Sequence, residues 1–105
     1  MGLVEYIYQV TNSFPKEEIY SLTSQIRRSS VSVPSNIAEG FMRKNTREYL
    51  QFLYIALGSL GELDTQLEIA KRLSYLHDTT KIDADIELVR KQLYSLINIL
   101  KQKIK

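Results

Sequence analysis

Residues 24–41 read SQIRRSSVSVPSNIAEGF, and this stretch decides the fold. Ile26, Ser30, Val33 and Ile37 follow one another at intervals of four, three and four residues, so they share one helical face. At about 100° per residue, Arg28, Ser32, Ser35 and Glu39 form a second stripe roughly opposite the first. A solvated helix face would carry more Lys and Glu. Small hydroxyls, with Asn36 beside them, between an arginine and a glutamate suit a surface against which something packs. Pro34 has no N–H for the Ser30 carbonyl and its ring crowds that turn, so the pattern predicts a helix kinked at Pro34. Ser29, Ser30 or a water would then satisfy the freed carbonyl.

Three further helices are legible on either side. Leu3, Ile7, Val10 and Phe14 give a buried stripe to a short first helix over 2–12, with Tyr6 and Tyr8 off that stripe. Pro15 turns the chain and opens the second helix at its first position, with Glu17 and Glu18 in the first turn. That helix runs over 16–39 and stops at Gly40, a suitable C′ residue. Asn45 or Thr46 caps a third helix over 46–73, where Tyr49, Leu53, Ala56, Leu60, Leu63, Leu67 and Ala70 form an unbroken heptad seam. Gly58 and Gly61 each cost about 1 kcal/mol against Ala in a helix interior. Their presence implies a close backbone approach, and Gly58 shares a face with Arg47, Gln51, Tyr54 and Thr65 away from the seam. Thr79 or Thr80 caps a fourth helix over 81–104, whose seam is Ile82, Ile86, Val89, Leu93, Leu96 and Leu100, widened by Ile97 and Ile104. Short connections make consecutive helices antiparallel neighbours, so the expected fold is a single all-α, antiparallel up-down-up-down four-helix bundle.

Composition removes several classes of function. The 105 residues make one domain, small enough that burying more surface in an oligomer would help. No cysteine is present, so disulfides, thiolate metal sites and cysteine nucleophiles are excluded. The N-terminus lacks a basic region ahead of a long apolar run, and no stretch reaches the length of a membrane span; a cytoplasmic protein without membrane contact is the expectation. The single histidine, His77, lies in a loop. Glu62, Asp64 and Glu68 lack the Glu-x-x-His companions of a di-metal bundle. Neither an enzyme activity nor a cofactor or metal is expected.

The order RR–S–P–S–N–I–A–E–G within 24–41, followed by FLYIALGSLGELDTQLEIAKRL over 52–73, resembles the bacterial four-helix-bundle family encoded in intervening sequences of 23S ribosomal RNA genes. That family is related to the accessory variability determinant protein of diversity-generating retroelements. The resemblance runs from about residue 14 to residue 76 and is weaker at both ends, where the first helix looks clipped. It implies a non-catalytic subunit of a homo-oligomeric ring, typically a pentamer. The retroelement relatives bind nucleic acid and a reverse transcriptase. On this reading Arg28, Ser32, Ser35, Asn36, Glu39, Tyr54, Gly58 and Gly61 are candidates for the subunit interface.

Charge is distributed unevenly although the net is only +2. Residues 62–87 hold seven acids against three bases, while 88–105 hold five bases and no acid. In an up-down-up-down bundle Arg43, Lys44, Arg47, Lys101, Lys103 and Lys105 gather at one pole. Compensation of helix dipoles accounts for the terminal lysines but not for Arg47, which stands at a helix start. Phosphate contact accounts for all six, so nucleic acid, RNA before DNA by the family likeness, is the leading partner. The alternative is a scaffold docking an acidic protein such as a reverse transcriptase. Asp64, near the seam of the third helix, needs a cation, and Arg27 or Arg28 is expected to supply it in a buried ion pair.

Overall fold

A computed structural model describes residues 2–104. Among these are four α-helices and no strand: α1 (Gly2–Thr11), α2 (Leu22–Phe41), α3 (Thr46–Arg72) and α4 (Thr80–Lys103), with a 3₁₀ turn over Lys16–Glu18. α3 lies between α2 and α4, and α1 rests on α2 and α4; the diagonal pairs do not meet as closely. The arrangement is consistent with a four-helix bundle, elongated to 48 × 25 × 19 Å. At 1.5 Å per residue α1 is about 15 Å long against about 40 Å for α3. One end of the bundle is therefore closed by four helices and the other by three.

The seams read from the sequence form the core. Ile7, Ile26, Leu53, Ala56, Leu60, Leu63 and Ala70 are wholly buried, and Val33, Leu67, Ile82, Ile86, Leu93, Ile97 and Leu100 nearly so. On α4 Ile97, which widens the seam, is buried, while Val89, Leu96 and Ile104 are partly buried against the core.

α2 and α3 pack most intimately, and small residues make this possible. Ser32 and Ser59 share a 2.7 Å hydrogen bond between the two helices. A Cβ on Gly40 would stand 2.7 Å from the Phe52 Cβ and 2.9 Å from Tyr49 Cδ1. Gly40 is thus not the stop expected of it. It lies inside α2 without positive φ, and the helix continues to Phe41. Gly58 and Gly61 show the reverse, since a Cβ on either would meet nothing within 4 Å in this chain. α2 passes without interruption through Pro34, and the Ser30 hydroxyl donates to the Arg27 carbonyl rather than serving its own.

The start of α2 also differs. Pro15 precedes a single 3₁₀ turn, and the backbone at Ser21 (φ −128°, ψ −101°) breaks the path before α2 begins at Leu22. Glu18 explains the break. Its carboxylate accepts from Ser21 Oγ at 2.6 Å and from the Leu22 N–H at 3.4 Å, which caps α2. It also accepts from the Tyr75 hydroxyl at 2.8 Å, which ties this turn to the chain after α3. At the end of α3, Ser74 takes φ 65°. Its N–H bonds the Lys71 carbonyl and that of Tyr75 bonds the Ala70 carbonyl, the paired bonds of a Schellman cap with serine in place of glycine.

Candidate nucleic-acid interface

The basic residues singled out in the sequence divide into two kinds. Arg43, on the connection after α2, is neutralised: its Nη2 is 2.9 Å from Glu39, its Nη1 4.0 Å from Glu48, and its guanidinium lies 5.0 Å from the Phe52 ring centre. Lys44, Arg47, Lys101 and Lys103 are exposed and have no ion-pair partner among the described residues. Lys105 lies outside the described residues. Asn45 fixes the entry to α3, its Oδ1 accepting from the Arg47 N–H at 2.8 Å and the Glu48 N–H at 3.3 Å. The cap therefore holds Arg47 in the first turn, where the positive end of the helix dipole disfavours it.

The expected ion pair of Asp64 with Arg27 or Arg28 does not form. Asp64 is an exposed residue and pairs with Arg90 of α4, Nη2 to Oδ2 at 3.2 Å. Arg27 turns instead to α1, where its Nε donates to Thr11 Oγ1 at 2.9 Å and its Nη2 to Asn12 Oδ1 at 3.2 Å. The Tyr8 ring centre is 4.7 Å from its guanidinium. The physical reason is the helix order: α1 and α3 flank α2 on different sides, and Arg27 leans toward α1. A signal for the true partner was present, since Ile86, Arg90, Leu93 and Ile97 recur by four, three and four along the α4 seam.

The candidate interface residues also separate. Ser32 and Asn36 are occupied within the chain, Asn36 Nδ2 donating to the Ser32 carbonyl at 2.8 Å and its hydroxyl at 2.9 Å. Arg28, Ser35, Tyr54, Gly58 and Gly61 are exposed, and Glu39 holds Arg43. His77 is exposed in the connection after α3. No group of metal-ligating side chains forms among the described residues, and none of their helices is long and apolar enough to cross a membrane.

The family model for the 23S rRNA-intervening sequence protein matches residues 1–95. The chain belongs to this family. Among solved structures, the chain is similar to a protein of unknown function from the S23 ribosomal protein family of Bacteroides thetaiotaomicron VPI-5482. The TM-score is 0.83 and the identity 25%, over 92% of this chain and 89% of that one. No curated protein matches the sequence. The match to the solved structure spans the all-helical architecture, as the resemblance in 24–41 and 52–73 implied.

Proposed function

We propose that this protein is a non-catalytic, cytoplasmic homo-oligomer, a ring of antiparallel up-down-up-down bundles, that binds RNA through a basic pole. The observation that carries the reading is a group of four exposed cations, Lys44, Arg47, Lys101 and Lys103, that have no ion-pair partner among the described residues. Ser32 lies against Ser59 and Gly40 against Tyr49 and Phe52, which supports an antiparallel α2–α3 pair. The short connection over 73–79 supports the same for α3 and α4. With that topology the four cations share one end of the bundle. One such pole holds a phosphate backbone weakly; several on one face of a ring hold it together. Gly58, Gly61 and exposed Tyr54 on α3 support a subunit contact there, because two interior glycines with open space above them gain nothing within the chain.

The test is a titration of labelled single-stranded RNA with the wild type and with a variant carrying Lys44→Ala, Arg47→Ala, Lys101→Ala and Lys103→Ala. The wild type binds at low salt, and its affinity falls with salt. The variant binds more weakly, with a log–log salt slope shallower by about 0.7 per lost phosphate contact. Absence of binding by the wild type at low salt would end the nucleic-acid reading. Equal binding by the variant would remove the pole from it.

A further inference from the structure

Away from the basic pole, the end of α1, the turn before α2 and the first turns of α2 enclose a cleft. It consists of two adjoining hollows of about 230 and 350 Å³ that share Ile19 and Arg27. The cations on its walls are Lys16, Arg27 and Arg28, and no acid lines either hollow. None of the three is in an ion pair among the described residues. Arg27 is held in place by neutral acceptors only, Thr11 and Asn12, so its charge is positioned but not cancelled. Tyr8 lies under that guanidinium and Tyr20, 95% exposed, stands on the same hollow. Thr23 lines the other hollow; it is 3% exposed, and its Oγ1 is buried without a hydrogen-bond partner.

We propose that this cleft binds single-stranded nucleic acid, with bases stacked on Tyr20 and on the Tyr8–Arg27 pair, and phosphates held by Arg28 and Lys16. Uncancelled cations interleaved with exposed aromatic rings are the elements of a sequence-tolerant single-strand site. An acidic peptide would use the cations but has no need of two tyrosine faces. The proposal rests on the reading of the protein as a nucleic-acid binder, not on the basic pole, and it adds a preference for unpaired strands.

Tyr20 and Arg28 are exposed, so their substitution spares the core. The experiment titrates full-length wild type, Tyr20→Ala, Tyr20→Phe and Arg28→Ala with a labelled single-stranded RNA and with an RNA duplex of the same length. Tyr20→Ala is expected to weaken single-strand binding about five- to tenfold, with duplex binding and the salt slope unchanged. Tyr20→Phe is expected to bind as the wild type does. Arg28→Ala is expected to make the single-strand salt slope shallower by about 0.7. Unchanged single-strand binding by Tyr20→Ala, while the pole variant loses affinity, overturns the cleft and leaves the pole standing. Equal loss on both RNAs overturns the stacking role. Displacement of the strand by poly-glutamate that depends on Arg28 but not Tyr20 gives the cleft to an acidic protein and overturns the proposal. Absence of binding by the wild type removes cleft and pole together.

Discussion

Two kinds of glycine occur in this molecule, and they predict opposite responses to one added methyl group. At Gly40 the new Cβ would meet Phe52 and Tyr49 at distances that force the helices apart. Gly40→Ala is expected to destabilise the fold by about 1–3 kcal/mol, measured by denaturant unfolding. Gly58→Ala meets open space and is expected to stabilise the isolated chain by about 0.8 kcal/mol through helix propensity. The sequence shows four glycines without saying which of them sits under another helix; it led to Gly40 as a stop and to Gly58 as a close approach. The bond between Glu18 and Tyr75 was equally hidden, because 57 residues separate the partners. Hydrogen bonds from Ser21 and then Tyr75 hold the Glu18 carboxyl below the usual glutamate range, and the Glu18 carboxylate pushes the Tyr75 hydroxyl up. A lowered acid stabilises the fold above its ordinary titration range and ceases to as pH falls through its folded value; a raised tyrosine stabilises below its ordinary range and ceases to as pH rises through its folded value. Tyr75→Phe is therefore expected to flatten the stability profile at the alkaline end and reduce its slope at the acid end. Urea unfolding across pH measures this, and unchanged slopes would contradict the pairing.

At the scale of elements, periodicity made the helices legible. Each seam from Leu3 to Leu100 recurs by three and four because buried residues of a helix must do so, and the burial follows it. The end of α1 and the ends of α3 and α4 fall within a residue or two of expectation for the same reason. The start of α2 does not, because it is set by a carboxylate folding back on Ser21 and Leu22 rather than by any apolar period. Asp64 pairs with Arg90 rather than Arg27 or Arg28 because period locates a face without saying which neighbour occupies it. Two caps give testable consequences. Asn45→Ala removes acceptors from two N–H groups at the start of α3 and is expected to cost about 1 kcal/mol. Ser74→Gly relieves the left-handed backbone at the end of α3 and is expected to add about 1 kcal/mol. Thermal unfolding of the two variants, in opposite directions, checks both.

For the whole molecule, fold and family could be read from a short run of residues, whereas partners could not. The run around Pro34 is specific because it joins a buried face, a kink-prone proline and small residues that admit α3 closely; the match over residues 1–95 follows it. Charged residues leave no comparable trace, since a lysine that meets phosphate and one that meets water read alike. Structure sorts them by partnership: Arg43 is paired with Glu39 and Glu48, while Lys44, Arg47, Lys101 and Lys103 have no ion-pair partner among the described residues. The proposed function depends on presenting these poles together, and so on assembly. The measurement that tests it most directly is the absolute mass in solution by light scattering, at low and at high salt. The account predicts one discrete oligomer, a pentamer on the family likeness, with the same mass at both salts. A monomer at both salts would contradict it, leaving the open glycines of α3 without a role and the basic poles with no partner copies beside them.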